Sequence, residues 1–203
     1  MRRIGAVLID IDGVLTVSWQ PLAGAVAALD LLRAAGLPLA LVTNTTSRTR
    51  ASIAAALVRA GFAVSAADIL TAPVIAAAYL REHYPDGRCL LLNSGDIGED
   101  LAGVRLARND EPAVDVVLVG GAGPEFSYQA VNAAFGHLQS GARLVAMHRA
   151  CTGGPARACS WTAGRLCWAW SRQPGRRRRW WASRPLPSSP PRSPTWAPAP
   201  PAP

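Results

Sequence analysis

The sequence predicts an α/β fold with a parallel sheet, on three observations. Apolar runs of strand length alternate with segments of helical periodicity from residue 4 to residue 148. Their spacing is that of βαβ units, in which a helix carries the chain back to start the next parallel strand. The first two strand candidates end in acidic or small polar residues, at the edge where parallel sheets place their ligands.

In chain order, "IGAVLIDI" (4–11) is a buried strand that stops just before Gly13. "PLAGAVAALDLLRAAG" (21–36) reads as a helix, with Pro21 near its start and Gly36 as its stop. "LPLALVTN" (37–44) is a second buried strand, and "SRTRASIAAALVRAG" (47–61) a second helix closed by Gly61. "TAPVIAAAYLREHYP" (71–85) is a third helix. "RCLLLNSG" (88–95) and "VDVVLVGG" (114–121) are further strands. "SYQAVNAAFGHLQSG" (127–141) is a fourth helix, and "ARLVAMH" (142–148) one more strand. No internal repeat is found.

The formal charge of +8 on 203 residues would suggest a nucleic-acid or membrane partner. Its distribution removes that reading from most of the chain. Residues 1–149 carry twelve Arg and all thirteen acids, a net charge of −1, whereas residues 150–203 carry nine Arg and no acid. The same tail holds six of the seven Trp and eleven of the seventeen Pro, and no Lys occurs anywhere. Cys89 lies in an apolar run and reads as a buried small hydrophobe, while Cys151, Cys159 and Cys167 lack metal-ligand spacing. Met1-Arg2-Arg3 ahead of an apolar run is a weak leader signal. Asp10 and Asp12 interrupt that run, and no apolar stretch approaches the roughly twenty residues of a membrane span. A cytoplasmic protein without a membrane partner is expected.

The chemistry concentrates in "LIDIDGVL" (8–15). Asp10 and Asp12 follow a buried strand, two residues apart, with Gly13 next to permit a tight turn. Carboxylates this close repel and call for a cation or a shared proton, and Mg²⁺ is the natural hard cation. A capped turn is the plainer alternative. "LVTNTT" (41–46) ends the second strand at the same sheet edge, so that Thr43 and Asn44 can donate hydrogen bonds to a phosphate. A helix beginning near Ser47 would aim its N-terminus at the same anion, unless residues 43–47 merely cap it.

These two motifs, "LIDIDGVLTV" and "LVTNTTSRTR", closely resemble the haloacid dehalogenase superfamily over about residues 4–149. The nearer resemblance is to subfamily IIA, which includes pyridoxal, NagD-type and phospholysine phosphohistidine inorganic pyrophosphate phosphatases. The resemblance implies a partial Rossmann-like core sheet (1–80), a partial inserted α/β cap (81–149) and a tail (150–203) expected to be disordered. It implies Mg²⁺-dependent hydrolysis of a small phosphorylated substrate. Asp10 would be the nucleophile, Asp12 the acid and base, and both would be metal-binding residues. Gly13, Thr43 and Asn44 would bind the phosphate. The resemblance also implies a homodimer through the cap in an intact relative, since family members with this cap often dimerise.

The family's later motifs, a Lys and a further metal carboxylate, are missing: the chain has no Lys and no acid after Glu125. The codons that could encode the tail point to a cause. When the last base of each codon is joined to the first two of the next, Cys151 to Gly154 permit "LYWR". Ser160, Trp161 and Thr162 permit "LD", with the Asp forced. Trp180, Trp181 and Ala182 force Val-Gly, and the reading through Pro190 permits "VGKPAAAFFA". The expected Lys motif thus stands in another frame, which implies a frameshift near codons 149–151 and an inactive chain as written. Nucleic-acid binding through "RRRRWW" (176–181) and the nearby tryptophans is the rival reading of the tail, and is not the expected one.

Overall fold

The computed structural model describes residues 4–108 and 111–148, together with Thr152–Gly153 and Ser160–Trp161. Two parallel sheets organise them. The first has the strand order β1-β4-β5, from Val7–Asp10 (β1), Leu39–Thr43 (β4) and Ile69–Thr71 (β5). Leu8 lies opposite Ala40 and Asp10 opposite Val42, and Thr43 lies opposite Thr71. A two-strand hairpin of Thr16–Val17 (β2) and Gln20–Pro21 (β3) follows β1.

The first helix, α1 (Ala25–Ala34), starts later than its sequence period suggests. Ser18 and Trp19 both take positive φ, at 50° and 64°. Two such residues make the primed turn whose twist suits a tight hairpin. Pro21 is therefore spent in β3, not in the helix. The second helix, α2 (Arg50–Arg59), begins at Thr49 and not at Ser47, because the Thr49 side chain accepts the Ser52 N–H as the N-cap. The third, α3 (Ala72–His83), is capped in the same way by Thr71.

The second sheet has the order β7-β6-β8-β9, all parallel: Arg88–Leu92 (β6), Arg105–Ala107 (β7), Val116–Val119 (β8) and Arg143–Ala146 (β9). It is covered on both faces. Ala76, Ala77 and Leu80 of α3 pack with Cys89, Val116, Leu118 and Val145 on one side, joined by Leu101 from a 3₁₀ turn at Gly98–Leu101. On the other side Ala134 and Leu138 of α4 (Tyr128–Gln139) pack with Leu90, Val117 and Val119. All four residues of β8 are buried, as a central parallel strand requires.

One face of the first sheet carries Ile11, Leu41 and Ile69 against Leu29 of α1 and Ile53 and Leu57 of α2. The opposite face carries Leu8, 68 % exposed, and Leu70, also exposed. Among the described residues β1 pairs only with β4, so its other edge is open. The short strands β5 and β7 were not anticipated; three residues are too few to display a period. Of the tail, Thr152–Gly153 (β10) and Ser160–Trp161 (β11) pair antiparallel, and the rest, including the residues expected to be disordered, lies outside the described residues. Among the described residues no helix is long and apolar enough to cross a membrane.

Two outcomes follow from this packing. Leu118→Ala, at a fully buried position, should lower the unfolding free energy in urea by about 2–5 kcal/mol, whereas Leu8→Ala should change it by less than about 0.5 kcal/mol. Burial pushes the Cys89 thiol up from 9.0 to about 12. Cys89 should resist iodoacetamide in the folded chain and react on unfolding, as read by peptide mass mapping. Between about pH 9 and 12 the unfolded thiol ionises and the folded one does not, so stability should fall with rising pH over that window. Cys89→Ala should remove that part of the slope.

Candidate active site

The parallel pairing of β1 with β4 sets the site. In a parallel pair the two strands end at the same edge, so Asp10, the last residue of β1, lies beside Val42 and Thr43 at the end of β4. Side chains alternate, and this decides which residues reach solvent. Ile11 and Leu15 are buried in the first core, while Asp10, Asp12 and Gly13 are exposed. The loop between them is tightly tied. The Ile11 carbonyl accepts the Leu15 and Thr16 amides, both at 3.0 Å, and the Gly13 N–H donates to the Thr16 carbonyl at 2.8 Å. Gly13 sits at φ +84°, a conformation that a residue with a Cβ takes only with strain.

Asp10 Oδ1 accepts the Ile11 N–H at 2.9 Å, and neither Asp10 nor Asp12 has an ion-pair partner among the described residues. Their carboxylates are therefore open to solvent and to a ligand. Thr43 is 8 % exposed, and its Oγ1 accepts the Thr45 N–H at 3.2 Å. That bond uses a lone pair and leaves the hydroxyl hydrogen free to donate. Asn44 follows, exposed. The structure thus brings Asp10, Asp12, Gly13, Thr43 and Asn44 to one edge of the first sheet.

The α2 N-terminus is not free to meet an anion as the sequence suggested. The Arg50 N–H, in its first turn, donates to Asp100 Oδ2 at 2.8 Å, and Thr49 takes the Ser52 N–H. A carboxylate already satisfies the positive end of the helix. Asp100 also accepts the Arg50 Nε–H at 3.0 Å and the Thr71 hydroxyl at 3.4 Å. Arg48 makes no ion pair among the described residues; its guanidinium lies over the Trp19 ring, 4.8 Å from the centroid.

Sequence reasoning missed the contribution of the second sheet to this edge. Asn93 and Gly95, after β6, meet the Thr46–Ser47 backbone, while Gly120 and Gly121, after β8, lie against the Asn93 amide and the Thr46 hydroxyl. Ser94 donates to the exposed Glu125 carboxylate, which that bond holds below its usual range. The signal was present: "NSG" and "GG" end buried strands just as "DIDG" and "TNTT" do.

Residues 7–107 match the family model described as haloacid dehalogenase-like hydrolase. Haloacid dehalogenase-like hydrolase domain-containing protein 2 of Rattus norvegicus is 33% identical over 149 residues, 73% of this chain and 55% of the relative. The phospholysine phosphohistidine inorganic pyrophosphate phosphatase of Xenopus laevis is 35% identical over 137 residues, 65% of this chain and 48% of the relative. A glycerol phosphate phosphatase of Mycobacterium tuberculosis, solved in complex with calcium, superposes with a TM-score of 0.74 at 27% identity, over 87% of this chain and 52% of that one. The chain spans about half the length of the curated relatives it matches. With its two strand-end motifs on adjacent parallel strands, the chain belongs to the haloacid dehalogenase-like hydrolases, with the subfamily IIA arrangement.

Proposed function

We propose that the site is that of a phosphatase, cleaving phosphate esters through a covalent phosphate on Asp10. The observation that supports this reading is the placement of Asp10, Asp12 and Thr43 on the adjoining ends of β1 and β4. An Asp10 oxygen attacks phosphorus in line, the P–O bond to the leaving group breaks, and Asp12 gives that oxygen its proton. Asp12 then takes a proton from water, whose oxygen attacks the phosphorylated Asp10 and releases inorganic phosphate. Thr43 and Asn44 donate hydrogen bonds to the phosphoryl oxygens, and Gly13 keeps the first loop tight enough for their approach.

The donor set fits Mg²⁺. It is commonly held by one or two carboxylates, with water and phosphate completing its shell, and Asp10 and Asp12 are exposed and unpaired. Asp10 through its carboxylate and Asp12 through its main-chain carbonyl would hold it. Among the described residues no group of three His, Cys, Asp or Glu forms a metal site. When bound, the ion offsets the charge of the carboxylate and the phosphate.

The same reading divides the chain into a core half (1–80), a partial cap (81–149) that selects a small phosphorylated substrate, and an unrelated tail (150–203). It places the protein in the cytoplasm, with dimerisation through a complete cap. The chain as written is proposed to be inactive. No Lys is present to neutralise the transferring phosphate, and no acid after Glu125 completes the metal shell. The codon pattern of residues 151–190 supports a frameshift as the origin. A non-catalytic fragment, or a tail that binds single-stranded nucleic acid, is the competing function; it is favoured only by the clustering of Arg and Trp at 176–181.

Two chains separate these statements: the 203-residue protein and a version with the reading frame restored after codon 149. With an aryl phosphate and Mg²⁺, the restored chain should turn over and lose that activity in Asp10→Asn. The chain as written should show no Mg²⁺-dependent turnover. Robust activity of the chain as written, abolished by Asp10→Asn, would refute the inactivity. A restored chain that folds but never cleaves would sink the phosphatase reading. Salt-sensitive oligonucleotide binding by residues 150–203 should be weak and non-selective.

A further inference from the structure

We infer that Asn93 is a positioning residue of the phosphate-binding loop, holding residues 43–47 in place from the second sheet. The inference rests on the phosphatase reading for its functional meaning, and on geometry for its substance. Asn93 is 8 % exposed, immediately after β6. Its Nδ2 donates to the Thr46 carbonyl at 2.9 Å, and lies 3.0 and 3.1 Å from the Ser94 and Gly95 carbonyls. Its Oδ1 accepts the Gly121 N–H at 2.8 Å. A side-chain amide has two N–H donors and one carbonyl, so this one is fully committed on both ends. It joins the ends of β6 and β8 to each other and to the loop after β4.

Three glycines allow this approach. A Cβ on Gly95 would collide with the Ser47 carbonyl, and one on Gly120 with Asn93 Oδ1. A Cβ on Gly121 would lie 2.8 Å from Thr46 Oγ1. Gly95 therefore lies directly against the Ser47 backbone, and Gly120 and Gly121 leave room for the Asn93 amide and the Thr46 hydroxyl.

The loop is held at three points. Thr43 accepts the Thr45 N–H, the Asn93 amide donates to the Thr46 carbonyl, and Asp100 accepts the Arg50 N–H. Of the three, the middle one is the bond that satisfies a loop carbonyl. Asp at 93 has no donor for Thr46 and would set a carboxylate oxygen against its carbonyl. Thr43 and Asn44 can meet a phosphate in one geometry only if the backbone following them does not wander, which makes Asn93 a determinant of anion affinity without touching the anion.

The test uses the full chain and two measurements: amide hydrogen exchange, and ³¹P NMR titration with inorganic phosphate in the presence of Mg²⁺. Thr43→Val reports background binding to the arginines of residues 150–203. Asn93→Asp and Gly121→Ala should each speed exchange at residues 43–47 by about tenfold or more, with α4 unchanged, and should weaken phosphate binding by about tenfold. Gly121 has ordinary φ, so Ala there acts through its contact with Thr46 Oγ1. Adding Thr46→Ala to Gly121→Ala should restore slow exchange and phosphate affinity to the level of Thr46→Ala alone.

Unchanged exchange at 43–47 in Asn93→Asp, or no rescue of Gly121→Ala by Thr46→Ala, would overturn the inference. So would a loss of protection spread equally over α4, since that is what a purely structural role predicts. If the parent chain binds no phosphate above the Thr43→Val background, the missing Lys and metal carboxylate account for it, and the phosphatase reading is decided by the frame-restored chain. The exchange data then still decide whether Asn93 positions the loop.

Discussion

The structure depends on one buried carboxylate. Asp100 is 5 % exposed, in the 3₁₀ turn that packs with α3 on the second sheet, and a charge there must be paired and hydrogen-bonded. It takes the Arg50 amide and guanidinium from the start of α2, and the Thr71 hydroxyl from the junction of β5 and α3. Four segments must meet at one point for this to happen. The mutual placement of the two sheets follows, and so does the position of the loop that ends β4. The same contact removes the α2 N-terminus from the set of anion binders. What remains for an anion is the Thr43 hydroxyl, the exposed Asn44 and the exposed residues of the first loop.

The two sheets satisfy the requirements of parallel pairing unequally. Parallel strands need cover on both faces. The second sheet has it, with α3 on one side and α4 on the other, and every residue of β8 is buried. The first sheet is covered on the face of Leu41 and Ile69 and bare at Leu8 and Leu70 on the other. The edge of β1 that is unpaired among the described residues, beside an exposed apolar face, is a liability for association between chains. Residues after 149 carry no periodic apolar pattern from which cover for that face could be built.

Much of the fold was legible because its signals are local. The buried strands announce themselves as short apolar runs, and four helices by their period. Thr71 and Ser127 were inside the predicted third and fourth helices and became their N-caps. Where local signals conflicted, tertiary geometry decided. Pro21 looked like a helix start and became part of a hairpin, because Ser18 and Trp19 adopt a turn that no sequence period reveals. Ser47 looked like a cap, but Thr49 and Asp100 set the start of α2 two residues later.

The site divides in the same way. The sequence by itself determined that two carboxylates and a Thr-Asn pair stand at strand ends. Alternation along a buried strand and a glycine after it are properties of neighbouring residues. Parallel pairing of β1 with β4 then brought the two motifs to one edge. Only the tertiary structure assigned parts to Asn93, Gly121 and Asp100. Asn93 meets Thr46 across 47 residues of chain, and Asp100 meets Arg50 across 50. A hydrogen bond over that distance leaves no period or spacing in the sequence; it exists because the loop after β4 and the start of α2 meet the segments that follow β6, and each buried polar group must find a partner.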